Sequence, residues 1–294
     1  MAATVIDGKL IADEIKREIG NETKRLRGGG NIIPALAFIL VGENPASQSY
    51  VKMKSKGCEE VGIKSITEKL PASIDESELL HLIEKFNRDK TIHGILVQLP
   101  LPDHIDEGRI ISAIDYRKDV DGFHPINVGR LVTGQDGFKP CTPLGIQELL
   151  VRSGNNPEGK HVVIVGRSNI VGKPLANILM QKKKGANAIV TVAHTAAGDI
   201  TTYTKNADIL IAAIGKPEFI KGEMVKKGAV VVDVGINRVE DFSVKSGYRI
   251  VGDTHFKSVS QVAGAITPVP GGVGPMTIAM VLQNTLYAAQ GKYY

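Results

Sequence analysis

His161-Val162-Val163-Ile164-Val165-Gly166-Arg167-Ser168-Asn169-Ile170-Val171-Gly172-Lys173-Pro174 is the stretch that decides the fold. A β-branched run ends in glycine, crosses a short polar turn and enters Leu175-Ala176-Asn177-Ile178-Leu179-Met180, which reads as a helix. A strand covered by helices on both faces has this composition. Gly166 lets backbone amides come close to a ligand, and the helix start beyond it offers unpaired N–H groups to an anion. That is the logic of a dinucleotide pyrophosphate site. The spacing, Gly166-x-Ser168-x-x-x-Gly172, places a serine where the common fingerprint has its second glycine. Alone, the stretch fits a purely structural strand–turn–helix equally well. The runs at 188–193, 207–213 and 229–234 then read as further strands separated by helical connections. Strands alternating with helices predict a doubly wound parallel sheet and favour the nucleotide reading.

Outward from that stretch, the 294 residues suit two domains. The expected class is α/β: two α/β domains flanking a cleft, the C-terminal one a Rossmann-like doubly wound parallel sheet. The expected divisions are 1–141, 142–274, and a closing helix within 275–294 that packs back on the first domain. The net charge of +5 is scattered, apart from Lys182-Lys183-Lys184, which suits the end of the helix begun near Lys173. Aromatic residues are only 5%, so stacking platforms and basic stripes for nucleic acid are not expected. No apolar run approaches membrane-spanning length, and Met1-Ala2-Ala3-Thr4-Val5-Ile6-Asp7 lacks a basic-then-apolar signal. Cys58 and Cys141 are far apart and outside any metal-type cluster. Cys141 reads as a small buried group, and a reducing cytoplasm is the expected compartment.

The first domain carries the candidate chemistry. Ile11, Ile15 and Ile19 recur at helical spacing, and Pro34 to Gly42 reads as a buried strand. A helix then follows Asn44-Pro45, with Ser47 as a possible cap, and runs to about Val61. Its apolar stripe is Val51, position 54, Cys58 and Val61, and position 54 is Lys54. A lysine there either snorkels to water or stays dry, and drying disfavours its charged form. Tyr50 lies one turn earlier on the same face, as core or as part of the site. An amine poised between charge states is what proton transfer near neutral pH needs.

Further on, Ser73 and Glu76 form a possible capping box ahead of Leu79, Leu82, Ile83 and Phe86. Ile92 to Pro102 reads as a strand stopped by prolines, with Gln98 near the end where ligands gather in open sheets. Gln98 either faces a ligand or braces the loop. In Lys118-Asp119-Val120-Asp121-Gly122, no third ligand favours a metal. One aspartate could accept paired N–H donors from a heterocycle, or both could be turn residues. Thr142 is expected to cap the helix carrying Leu144, Ile146 and Leu149, with Pro143 in its first turn. After the second nucleotide-domain strand, Ala193-His194-Thr195 carries no carboxylate for ribose hydroxyls, and Arg167 is available, so NADP is expected over NAD.

Five stretches together carry a resemblance. They are Tyr50-x-x-x-Lys54, Val97-Gln98-Leu99-Pro100, Lys118-Asp119-Val120-Asp121-Gly122, the 165–172 turn, and Thr267-Pro268-Val269-Pro270-Gly271-Gly272-Val273-Gly274-Pro275-Met276-Thr277. Over essentially the whole chain they resemble the methylenetetrahydrofolate dehydrogenase/cyclohydrolase family, in its bacterial bifunctional form. The resemblance implies oxidation of 5,10-methylenetetrahydrofolate with NADP to the methenyl form, then hydrolysis to 10-formyltetrahydrofolate, in one-carbon metabolism. It implies Lys54 as the general acid/base of hydrolysis, and Gln98 as its partner, holding it less protonated. It also implies Asp121 as acceptor for the pterin edge and Tyr50 against the aminobenzoate ring. Pro270, Gly271 and Gly272 carry over as folate contacts, and Gly166, Arg167, Ser168, Thr195 and Ile236 as NADP contacts. A homodimer, and links to purine, methionine and histidine biosynthesis, follow from the resemblance alone. The family commonly has Cys-His-Ser where this chain has Ala193-His194-Thr195; threonine keeps the hydroxyl, so the resemblance still implies a 2′-phosphate contact there. The competing readings are another two-domain NADP dehydrogenase, of shikimate or amino-acid type, and a nucleotide-binding module without catalysis.

Overall fold

A computed structural model describes residues 3–244 and 247–294. Met1 and Ala2, part of the start searched for a signal, lie outside the described residues. In chain order the strands are β1 (Thr4–Val5), β2 (Ala35–Val41), β3 (Lys64–Leu70), β4 (Gly94–Val97), β5 (His161–Val165), β6 (Ile189–Ala193), β7 (Ile209–Ala212), β8 (Val230–Asp233), β9 (Asn237–Glu240), β10 (Tyr248–Val251) and β11 (Ala265–Ile266). The chain divides into two compact units, one of Asp13–Cys141 with Ile278–Tyr294 and one of Met1–Ala12 with Thr142–Thr277. Residues 3–12, read from sequence with the first domain, group with the second because β1 pairs in parallel with β11.

In the unit of residues 13–141 and 278–294, a parallel sheet runs β3-β2-β4. β2 is buried at every position, as a continuous apolar run requires when both faces are covered. Its core gathers Ile39, Val41, Leu79, Ile83, Phe86 and Val97. The helix Pro45–Val61 is capped by Asn44, not Ser47: the Asn44 carboxamide accepts from the N–H groups of Ala46 and Ser47. With Pro45 in the first turn, the cap sits one residue ahead of the proline. Gly57 on this helix leaves room for Ile278 and Leu282, since a Cβ there would stand 3.2 Å from Ile278. The expected capping box at Ser73 is absent. Glu76 instead accepts from the Asp106 N–H and pairs with Arg109, joining the helix Glu76–Arg88 to the helix Glu107–Ala113.

In the other unit a parallel six-stranded sheet runs β1-β11-β8-β7-β5-β6. β5 lies between β6 and β7, so the strand order reverses there, and the Gly166 turn leaves its C-terminal end. The core beneath includes Val163, Val165, Leu210, Val231 and Ile266. β10 does not extend this sheet; it pairs antiparallel with β9 as a separate hairpin. The helix Cys141–Arg152 begins one residue ahead of the expected cap, and the Thr142 hydroxyl lies 2.9 Å from that of Thr277. The closing helix starts at Val273, inside the proline–glycine stretch, and reaches Ala289. Among the described residues no helix is long and apolar enough to cross a membrane.

Candidate functional site

Lys54 is buried, with 6% of its surface exposed, beside Val51, Cys58 and Val61 on one stripe of the Pro45–Val61 helix. It does not snorkel. Its Nζ donates to Gln98 Oε1 at 3.1 Å. Gln98 follows β4 directly, and its Nε2 donates to the Leu99 carbonyl at 2.8 Å. The amide therefore braces the loop and faces the amine at once. With its N–H end occupied, it presents oxygen to Lys54. An amide oxygen can only accept, so Gln98 aims the nitrogen by taking one of its N–H groups. Tyr50 is half-buried one turn away, and burial pushes its phenol up from its ordinary value.

The two aspartates divide their work. Asp119 is buried and accepts from the N–H groups of Gly122, Phe123 and His124 and from Asn127 Nδ2. It is a turn residue, next to β4 through a parallel bridge from Ile95. Burial still raises its carboxyl, against the pull of those donors. Asp121 is partly exposed and in the field of Lys54. Burial pushes its carboxyl above the ordinary value, while the Lys54 charge and a Cys141 hydrogen bond pull it back. Gly122 has φ +78°, and a Cβ there would lie 2.4 Å from the Lys139 backbone, so only glycine turns the chain at this point. Cys141 donates to the Val120 carbonyl, and burial lifts its thiol well above the ordinary value. That suits a packed group and not a nucleophile.

The second unit holds the nucleotide-type turn. Gly166 has φ +131°, and a Cβ on it would stand 2.1 Å from the Ala213 carbonyl oxygen. A Cβ on Gly172 would stand 2.1 Å from the Gly166 carbonyl oxygen. A sharp turn and close strand–helix approach are what the first and last glycines of a dinucleotide fingerprint supply. Ser168 fills the middle position differently. Its Oγ accepts from the N–H groups of Val171 and Gly172, bracing the start of the helix Gly172–Leu179. Arg167, Ser168, Thr195 and Ile236 are exposed. Thr195 opens a short 3-10 turn after β6, capped by the His194 ring. This unit therefore has the backbone cradle, the switch-point position and, in Arg167, an exposed cation of the kind that suits a phosphate-bearing dinucleotide. In the same unit Pro270 is exposed, Gly271 half-buried and Gly272 buried. Lys9 N–H donates to the Gly271 carbonyl, and a Cβ on Gly8 would meet the Gly272 carbonyl at 2.0 Å.

Sequence reasoning missed a buried carboxylate network beside this turn. Asp233, ending β8, accepts from the N–H groups of Gly235, Asp253 and Thr254 and from the Thr254 hydroxyl. Asp253 in turn accepts from the N–H groups of Ile214 and Gly215 and from Asn237 Nδ2. These bonds hold the loops after β7 and β8, including the backbone beside Ile236. Burial raises the Asp233 carboxyl, opposed by the same donors. The available signal was a carboxylate closing an apolar run just before Val234-Gly235. Among the described residues no three His, Cys, Asp or Glu side chains gather as a metal-ligand set.

Comparison with known proteins adds to this geometry. Residues 140–293 match the model of the tetrahydrofolate dehydrogenase/cyclohydrolase NAD(P)-binding domain, and residues 6–121 match that of the catalytic domain. The bifunctional protein FolD of Syntrophobacter fumaroxidans is 54% identical over 291 residues, covering 99% of this chain and 98% of that protein. Its counterpart in Moorella thermoacetica is 56% identical over 290 residues, covering 99% and 100%. The crystal structure of the bifunctional methylenetetrahydrofolate dehydrogenase/cyclohydrolase of Campylobacter jejuni superposes with a TM-score of 0.92 at 51% identity, over 99% of this chain and 100% of that one. That of Trypanosoma brucei, complexed with NADP and an inhibitor, superposes with a TM-score of 0.93 at 39% identity, over 99% of both chains.

Proposed function

The chain belongs to the tetrahydrofolate dehydrogenase/cyclohydrolase family, and on that premise we propose that it oxidises 5,10-methylenetetrahydrofolate with NADP and hydrolyses the methenyl product to 10-formyltetrahydrofolate. The observation that carries the hydrolytic half is the buried Lys54 amine aimed by Gln98, within the field of Asp121. The shikimate- or amino-acid-type alternative loses its support, because both family models match and relatives at over half identity span the chain.

NADP, when bound, supplies the acceptor for the hydride leaving the methylene carbon. Gly166 and Ser168 shape the turn for its phosphates, and Arg167 offers charge to the 2′-phosphate. Thr195 adds a hydroxyl where an NAD site would place a carboxylate, and Ile236 gives an apolar contact. In the hydrolytic step, water attacks the methenyl carbon and gives a proton to Lys54 Nζ. The same nitrogen returns a proton to the folate nitrogen whose bond to that carbon breaks. Gln98 keeps Nζ pointed at this exchange. Asp121 accepts N–H donors from the pterin edge, Tyr50 packs on the aminobenzoate ring, and Pro270, Gly271 and Gly272 keep the folate-contact role implied by resemblance.

By the same resemblance the protein works as a homodimer in one-carbon metabolism, and its two free cysteines fit a reducing cytoplasm. A coupled assay tests the main claim: methylenetetrahydrofolate supplied with NADP or with NAD, followed through to the formyl product. NADPH formation with release of the formyl product is expected. Tight NADP binding with no turnover of either folate would overturn the reading.

A further inference from the structure

The turn that presents Asp121 is held from far along the chain. Asp119 closes it by accepting from three successive backbone N–H groups, those of Gly122, Phe123 and His124. The fourth donor to Asp119 is Asn127 Nδ2, at 2.9 Å from Oδ2. Asn127 is fully buried, and its Nδ2 also donates to the Tyr116 carbonyl at 2.8 Å. A carboxamide in this position works only one way round, with nitrogen towards Asp119 and oxygen away. What receives that oxygen is the Tyr294 hydroxyl, which donates to Asn127 Oδ1. The Tyr294 ring is itself fixed, edge-on to Tyr116 at 5.0 Å between centroids and 5.9 Å from Phe138, with the Arg130 guanidinium 4.6 Å above it. All of these residues belong to one compact unit.

We propose that Tyr294 is a positioning residue for folate binding, acting through Asn127 and Asp119 on the turn that carries Asp121. This rests on the folate reading above. Without the hydroxyl, Asn127 Oδ1 is buried with no other side-chain donor among the described residues. The carboxamide then loses the contact that fixes its plane, and the Nδ2 bonds to Asp119 and to the Tyr116 carbonyl are held less firmly. The turn loosens at the residues flanking Asp121, while the Lys54–Gln98 pair and the nucleotide turn are not part of this chain of bonds. The predicted signature is therefore weaker folate binding with normal chemistry once folate is bound.

The test is Tyr294→Phe, which keeps the ring packing and removes only the oxygen, beside Tyr293→Phe as a control. Steady-state kinetics are read for both substrates, together with amide hydrogen exchange at residues 122–124. For Tyr294→Phe the expected result is a folate KM raised about fivefold, on the scale of one lost buried hydrogen bond. Its kcat and NADP KM should be unchanged, with faster exchange confined to 122–124. Tyr293→Phe should behave as the unaltered protein does. An unchanged folate KM, or exchange raised evenly over the whole unit, overturns the positioning role while leaving the enzyme reading intact. If Tyr294→Phe does not fold, exchange in Asn127→Ser decides: it should loosen 122–124 selectively, and uniform protection there overturns the role. Absence of folate turnover in the unaltered protein overturns the folate reading and this inference with it.

Discussion

Lys54→Met separates the two proposed steps. Lys54 fills an apolar stripe between Val51 and Cys58 with 6% of its surface exposed, and methionine matches its reach without the amine. The substitution removes one hydrogen bond, to Gln98 Oε1, worth about 1 kcal/mol net. It also removes a polar head whose burial is unfavourable, so the melting temperature should stay close to that of the unaltered protein. Activity should not. Loss of the group that takes and returns the proton should slow methenyltetrahydrofolate hydrolysis by roughly a hundred- to ten-thousand-fold. Hydride transfer requires no proton from that nitrogen and should remain measurable as NADPH formation. A third readout follows from Asp121. Burial raises its carboxyl and the Lys54 charge lowers it, so without Lys54 the carboxyl is raised further. A protonated carboxyl cannot accept from two donors, so folate KM should climb on acidification, and in Lys54→Met the climb should begin at a higher pH. The two reactions would be assayed separately across pH, one from methylene- and one from methenyltetrahydrofolate. Equal loss of both steps would refute the role given to Lys54. So would a folate KM profile displaced towards lower pH.

Asp121→Ala should weaken folate binding by roughly ten- to a hundred-fold, the scale of charge-assisted hydrogen bonds, and leave NADP binding unchanged. Titration of each ligand against the variant decides this, and parallel losses would count against it. Arg167→Ala should lose about ten- to a hundred-fold in preference for NADP over NAD, read as the ratio of kcat/KM for the two. An unaltered ratio would remove Arg167 from the phosphate contact. Gly166→Ala forces a Cβ within 2.1 Å of the Ala213 carbonyl at φ +131°. It should destabilise the protein by more than about 3 kcal/mol in urea and abolish NADP binding. Gly159→Ala also has positive φ, +69°, but nothing lies within 4 Å of its Cβ, so only backbone strain of about 1 kcal/mol is expected. Equal losses for the two would show that the close backbone crossing is not what Gly166 provides.

Much of this architecture is legible along the chain. β2, β4, β5, β7 and β8 are largely apolar runs, each bounded by glycine, proline or polar residues, and such runs announce buried parallel strands without any partner in view. The helical stripe through Val51, Lys54, Cys58 and Val61 likewise follows from spacing, because residues three and four apart share a helix face wherever the helix packs. β1 and β11 are two residues each and carry no periodicity, so only their pairing makes them strands. The β9–β10 hairpin is half-exposed and weakly patterned, and its separation from the main sheet could not be read.

The residues themselves determined that a lysine would lie in an apolar stripe, that glycines would turn the chain after β5, and that no carboxylate would follow β6. Tertiary structure decided which way that lysine points and what meets it, since Gln98 is 44 positions away. It also decided which of two neighbouring aspartates braces the turn and which stays partly open. It joined Asp233 to Asp253, and Tyr294 to Asn127, across 20 and 167 positions respectively. Local preference depends on neighbours within a turn or a pleat, whereas the partner of a buried polar group is chosen by whatever the folded chain brings within hydrogen-bond reach.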